Sequence, residues 1–108
     1  MNLKTAECIW EQIRKTKYEN LKESLVVKAL EYAHIRANWY LMDSKARAER
    51  DASRTIAHDA FIDTCNILSR NMGKAGEGNS WRADLGDNRK EIGDFACWLH
   101  ALLGIGMR

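Results

Sequence analysis

The stretch that decides the fold is NLKESLVVKALEYAHIRANWYLM, residues 20–42. At 100° per residue, its leucine, valine, alanine, tyrosine and tryptophan side chains spread over about 200° of a helical wheel. A helix that is apolar over half of its circumference is contacted on two sides. We therefore predict a long helix that lies either at the centre of a helical bundle or in a dimer interface.

The residues on both sides of this stretch also favour helix, because the chain has no proline and its first glycine is Gly73. The boundaries between helices in this region must therefore come from weaker signals than proline or glycine. Thr16 and Asn20 are each followed three residues later by glutamate, as in a capping box, and Asp43 is a further N-cap candidate. We predict three helices before the first glycine, over 3–16, 20–42 and 44–72.

A glycine-rich loop over 73–86 comes next, and the last helix is predicted over 88–103. Asn88 and Glu91 form a capping box at its start, and Gly104 is the expected stop signal. The predicted fold is therefore all-α, a four-helix, bundle-like arrangement with long second and third helices. We expect one helical domain that includes all 108 residues.

Helix three divides into two parts. Residues 44–55 contain only alanines as apolar groups, so we expect this part to project toward solvent or to lean on helix one. The second part carries a core face, which we assign to Ile56, Ala57, Ala60, Phe61, Ile67, Leu68 and Met72.

Composition limits the function. Seventeen basic and fifteen acidic residues give a net charge of +2, which is too balanced to require a nucleic acid or an acidic membrane as partner. No apolar run reaches the ~18 residues of a membrane-spanning helix, and no signal peptide is apparent. We expect a cytoplasmic protein with neither membrane nor nucleic acid as partner.

Three cysteines, Cys8, Cys65 and Cys97, lie far apart in the sequence. An odd and unclustered set argues against a disulfide framework and against a cysteine-based zinc site. We expect three reduced and mostly buried thiols, each on a different helix.

A polar set on helix three is the first candidate site. Asp59 and Asp63, four residues apart, share a helix face and could hold a divalent cation. The doublet His58-Asp59, with His34 and Asp94 elsewhere, resembles the histidine–aspartate doublet of metal-dependent phosphohydrolases. The alternative is structural, with both aspartates on the solvent face and His58 at the edge of the core.

The last helix holds a second candidate. Glu91 and Asp94 resemble the ExxD element of the all-helical nucleotide pyrophosphatases of the MazG type. That resemblance implies an acidic cage for magnesium and a nucleoside triphosphate substrate, but the matching ExxE element is absent. The acidic pair nearest in sequence is Asp59/Asp63. The structural alternative makes Glu91 a capping residue and Asp94 an ion-pair or surface residue.

A broader resemblance rests on RTIAHDAFIDTCNILSR (54–70) and GDNRKEIGDFA (86–96). These segments resemble a family of short uncharacterised bacterial helical proteins with no assigned function. The resemblance implies a helical fold and a bacterial origin, and it assigns no functional residue.

Arg36 lies between Leu25 and Ala29 on the wheel, in the middle of the apolar arc of helix two. A free cation is costly there, so we expect a carboxylate partner from another helix, unless the long stem reaches the bundle edge. The candidate partners are Asp59, Asp63 and Asp94.

We therefore favour a non-catalytic helical interaction protein that acts as a homodimer or on a partner helix, without a cofactor. The alternative is a divalent-metal-dependent hydrolase of nucleotides or phosphoesters. In that hypothesis His58 is the base, and the ligands of Mg²⁺ or Mn²⁺ are Asp59, Asp63, Glu91 and Asp94.

Overall fold

The computed structural model describes residues 1–106, and within them the chain forms α-helices and no strand. The predicted all-α, bundle-like fold is confirmed, but this part of the chain has five helices instead of four. The additional helix is short and lies inside the segment that was expected to be only a loop. The helices are α1 (Leu3–Arg14), α2 (Glu19–Tyr40), α3 (Ser44–Lys74), α4 (Trp81–Leu85) and α5 (Arg89–Gly106).

The arrangement centres on α2, which packs against both α3 and α5, while α1 packs against α4 and α5. The prediction that α2 is contacted on two sides is confirmed. Leu25 of α2, Phe61 of α3 and Phe95 of α5 are fully buried where these helices meet. Trp81 of α4 is also fully buried, so the short helix closes the end of the core.

The N-cap predictions are correct at two helices and wrong at α2. Asp43 accepts a hydrogen bond from the Ala46 amide, and Asn88 accepts from the first-turn amides of α5. At α2 the N-cap is Tyr18, without a side-chain hydrogen bond. Thr16 is buried and donates to Glu77 in the later loop, so its hydroxyl holds two loops together instead of capping α2.

Two helices run further than predicted because their glycines remain helical. The helix α3 passes through Gly73 and closes at Gly76, whose φ of 76° is in the left-handed region. The Glu77 amide donates to Met72 and the Gly76 amide donates to Gly73, which is the Schellman pattern. The helix α5 continues past Gly104, so that glycine is not the stop signal that the sequence suggested.

The core face of α3 differs from the predicted one at two isoleucines. Ile56 is 70% exposed and Ile67 is 40% exposed, so their assignment to the core was wrong. The covered side of α3 instead follows a helical repeat three to four residues apart, which includes polar groups. Its buried members are His58, Phe61, Cys65, Leu68, Ser69 and Met72.

The first part of α3 is largely exposed, which agrees with one of the two expected arrangements. Its covered side lies against the end of α2, and not against α1. Arg47 donates from Nε to the Trp39 carbonyl at 3.0 Å. The Arg54 guanidinium carbon lies 4.4 Å from the centre of the Trp39 ring. A cation above an indole face is attracted to its electrons, so arginines supply the contacts that the alanines of this segment cannot supply.

Candidate functional site

The ion pair expected for Arg36 joins α2 to α5. Its Nη2 lies 2.7 Å from Oδ1 of Asp94, and both side chains are only 15% exposed. Arg36 also lies 3.5 Å from the Tyr40 hydroxyl and 3.8 Å from the Cys97 sulfur. Of the three carboxylates considered as partners, Asp94 is the one in contact, because it faces α2 from the middle of α5.

The remaining oxygen of Asp94 is also occupied by cations of the chain itself. The amine of Met1 and the Nζ of Lys90 each lie 3.0 Å from Oδ2. The same amine lies 2.8 Å from Glu91 Oε2, and the Trp98 indole donates to the Met1 carbonyl. The two acidic residues of the ExxD-like element therefore face an ammonium group, where the metal hypothesis would place a metal ion.

These contacts shift the pKa values of both Asp94 and Arg36. Burial alone would raise the pKa of Asp94, but hydrogen bonds from the amine, Lys90 and Arg36 hold that pKa at about 2. Burial alone would lower the pKa of Arg36, but the hydrogen bonds to Tyr40 and Asp94 outweigh it and raise that pKa. Both groups are therefore charged at neutral pH.

The carboxylates proposed as metal ligands do not form a binding site together in the described part of the chain. Asp59 and Asp63 are both exposed on α3, while Asp94 is turned toward Arg36 on α2. Within residues 1–106, nowhere do three or more His, Cys, Asp or Glu side chains come together as metal ligands would. The acidic residues of α3 and α5 thus lie in different surroundings.

His58 is more buried than its assignment to the core edge implied, being 2% exposed. Its Nε2 lies 3.0 Å from the carbonyl oxygen of Arg89, to which it donates, and its ring packs edge-on against Tyr32. Its Nδ1 has no hydrogen-bond partner in the described part of the chain. The nearest carboxylate oxygen, on Asp59, is 3.7 Å away, beyond hydrogen-bond distance.

Two surface cavities flank Arg36. The first, which we call the alanine groove, lies between α2 and α5 and has a volume of about 620 Å³. Its walls are mostly apolar, and at one end His34 and His100 meet edge to face with ring centres 5.3 Å apart. Its apolar lining includes Ala33, Ala37, Tyr40, Trp98 and Ala101.

The second cavity, which we call the basic pocket, lies where α2, α3 and the first turn of α5 meet and has a volume of about 470 Å³. Four rings, Tyr32, Trp39, Tyr40 and His58, form part of its wall. Its lining also includes four cationic side chains and no carboxylate among the described residues. The cations are Arg36, Arg54, Arg89 and Lys90.

Sequence reasoning missed both cavities. It assigned no role to Arg54 or to Arg89. The adjacent Arg89 and Lys90 at a predicted helix start were the signal that could have pointed to an anion site. No signal in the sequence shows that Arg54 and Trp39 meet them.

The cysteines lie on three different helices and are free thiols, but their burial differs. Cys65 is buried, Cys97 is half-buried beside Arg36, and Cys8 is exposed. The expectation of mostly buried thiols was therefore wrong for Cys8, which lies outside the buried stripe of α1. Burial raises the pKa of Cys65 to about 12, so this thiol is unreactive while the protein is folded.

Comparisons of the chain with protein-family models, with curated proteins and with solved structures found no match. Within residues 1–106, no helix is both long enough and apolar enough to cross a membrane.

Proposed function

We propose that the protein is a non-catalytic helical interaction protein that self-associates through the alanine groove. The observation that carries the proposal is an open, mostly apolar cavity between two helices, with small side chains along it. Apolar surface of this kind, rimmed by polar residues, is typical of protein contacts.

The shape of the groove suits a helix. Ala37 on α2 and Ala101 on α5 are exposed and small, so a helix backbone can approach both helices closely. At the end of α2, Tyr40 is 64% exposed and Leu41 is 86% exposed. In a two-fold dimer, each copy's Tyr40 and Leu41 would cover part of the other copy's groove.

A second copy of this chain is the occupant that the charges favour. A strongly charged groove would repel its own copy, but in this groove Arg36 and the Met1 amine are both paired with Asp94. The groove is therefore close to neutral and can face itself without a large electrostatic cost.

The proposal also includes a cytoplasmic location, which is supported by three free thiols, one of them exposed.

The experiment is sedimentation equilibrium of the wild type and of Ala37→Glu at high micromolar concentration. We expect a dimer mass for the wild type and a monomer mass for the variant, because the new carboxylate would be buried unpaired in the interface. Ala52→Glu, the same change at an exposed position of α3, is the matched control and should remain dimeric. A monomer mass for the wild type would overturn the proposal.

A further inference from the structure

The basic pocket shares Arg36 and Tyr40 with the alanine groove. Its Arg54 and Arg89 lie outside that groove, and they carry a different inference. We propose that the basic pocket binds a small phosphorylated molecule, through arginine and lysine side chains at the junction of α2, α3 and α5. Its charge, the unpartnered Nε of Arg54 and the start of α5 beside it support this proposal.

The charge of the pocket is unbalanced. Arg36 and Lys90 share Asp94, and the nearest carboxylate to Arg54 is that of Asp51, at 3.8 Å with 61% of its side chain exposed. Four cations therefore face two carboxylates, neither of which lines the pocket. Such a cavity favours an anion, and guanidinium groups match the geometry of phosphate oxygens.

Two polar atoms at the pocket are buried without a partner. Arg54 Nε and His58 Nδ1 are shielded from solvent, and neither makes a hydrogen bond within residues 1–106. An unsatisfied buried polar atom costs about 1–3 kcal/mol, so its presence at a cavity calls for a missing partner. Arg54 Nε can only donate, so its partner must be an acceptor. His58 Nδ1 is itself an acceptor, because Nε2 of the same ring donates to Arg89, so the anion's partner is Arg54 and not His58.

The position of the pocket adds to its attraction for anions. Arg89 and Lys90 are the first two residues of α5, which is 18 residues long. The start of a helix carries a partial positive charge, which adds to that of the side chains. The amides of Lys90 and Glu91 already donate to Asn88, so an anion in the pocket would be held by the side chains.

The stacking of Arg54 on Trp39 and the volume of the basic pocket restrict which phosphorylated molecule fits. Trp39 and Arg54 are already stacked, with the guanidinium carbon 4.4 Å from the ring centre, so the cation is held in place before a ligand arrives. A volume of about 470 Å³ accommodates a diphosphate with a small organic group. The ligand class is therefore a free oligophosphate or the phosphate end of a nucleotide.

The test is isothermal titration calorimetry of the full chain with inorganic pyrophosphate and, separately, with ADP. We expect saturable binding that weakens roughly tenfold or more in Arg54→Gln and in Arg89→Gln, which is the loss typical of one charge-assisted hydrogen bond. Arg89 is exposed, so its variant keeps the fold even if the Arg54 variant does not. Arg70→Gln removes the same charge from an exposed position of α3 outside the pocket and should bind as the wild type does.

The two ligands distinguish the sources of phosphate. Tighter binding of ADP supports a nucleotide, and equal or tighter binding of pyrophosphate supports a free oligophosphate. Absence of saturable binding at millimolar ligand would overturn the proposal, as would equal weakening in all three variants, which would show general charge attraction. Preferred binding of a single-stranded RNA over both small ligands would also overturn it.

Discussion

The guanidinium of Arg36 lies 2.7 Å from the carboxylate of Asp94, across the contact between α2 and α5. This relationship decides how the acidic residues of α5 are interpreted. A carboxylate already bound to a guanidinium and to two ammonium groups has little to offer a divalent cation. It stabilises the helix pair instead, because it neutralises an arginine in the middle of an apolar face.

Removal of the carboxylate alone should be costly. We expect Asp94→Ala to lower the free energy of unfolding by about 3 kcal/mol, because it leaves Arg36 largely buried without a partner. The double variant Arg36→Met/Asp94→Ala should lose about 1 kcal/mol less than the sum of the two single changes. Urea denaturation followed by circular dichroism measures all of these values.

Asp63→Ala is the matched control for that series, because Asp63 is exposed on α3. It should change the free energy of unfolding by no more than about 0.5 kcal/mol. Strict additivity of the Arg36 and Asp94 changes would contradict the pairing.

Low pH should remove the stabilisation that the Asp94 carboxylate provides. The pKa of Asp94 is about 2 in the folded protein, below its ordinary value of 3.8. A group with a depressed folded pKa stabilises the protein above its unfolded pKa and loses this effect as pH falls toward its folded pKa. The stability difference between the wild type and Asp94→Asn should therefore be constant above about pH 5 and shrink between about pH 5 and pH 2.

Chemical denaturation of both proteins over this range tests the prediction, because carboxylates common to both cancel in the difference. A difference that stayed constant down to about pH 2.5 would show that Asp94 has an ordinary pKa in the folded state.

The close packing of α2 on α5 depends on Gly93. A Cβ added there would lie 3.0 Å from the Tyr32 hydroxyl and 3.1 Å from Arg36 Nη1. Tyr32 is buried against His58, and Arg36 is held by Asp94, so neither side chain can move away easily. We expect Gly93→Ala to destabilise the protein, although alanine is the better helix former.

Gly104 offers the matched control for Gly93→Ala, since it is in the same helix with open space around its Cβ. Gly104→Ala should stabilise the protein by about 0.5 kcal/mol through helix propensity alone. Thermal unfolding of both variants gives the comparison. Equal stabilisation by the two changes would show that Gly93 is not a contact residue.

Much of the fold could be predicted because its signals are local. The broad apolar arc of α2 indicated contact on two sides, and Asp43 and Asn88 indicated helix starts by their own side-chain chemistry. The prediction was wrong where a distant partner decides the outcome. Thr16 could not be excluded as a cap without knowing that its hydroxyl donates a hydrogen bond to Glu77, sixty-one residues away.

The candidate site was predictable in one respect only. Arg36 lies in the apolar arc of α2, where an unpaired cation is energetically costly. Few carboxylates could reach it, so the sequence limited its partner to three residues. Asp94 is the one in contact. For the basic pocket the sequence offered only Arg89 and Lys90 at a helix start, and no sign of the other residues that line it. Trp39, Arg54 and Arg89 meet only because α3 leans on the end of α2 and α5 begins beside them.

The cysteines should react with a thiol reagent in a fixed order. Cys8 is exposed and should react in the native protein at the rate seen in denaturant. Cys97 is half-buried, and its burial raises its pKa, so it should react more slowly. Cys65 should react only on unfolding. The fast phase should be absent in Cys8→Ser, and two equally fast native phases would contradict the burial of Cys97.

Divalent cations provide the last test, because they separate the two interpretations of the acidic residues. A ligand present at 100 times its dissociation constant stabilises a protein by about 2.7 kcal/mol, which a thermal shift detects easily. We expect neither Mg²⁺ nor Mn²⁺ to raise Tm, because a cation at Asp94 would have to displace Arg36, Lys90 and the Met1 amine. A saturable rise in Tm for the wild type that disappeared in Glu91→Gln and in Asp59→Asn would contradict this expectation. It would show that the carboxylates of α3 and α5 come together around a metal, as the hydrolase hypothesis requires.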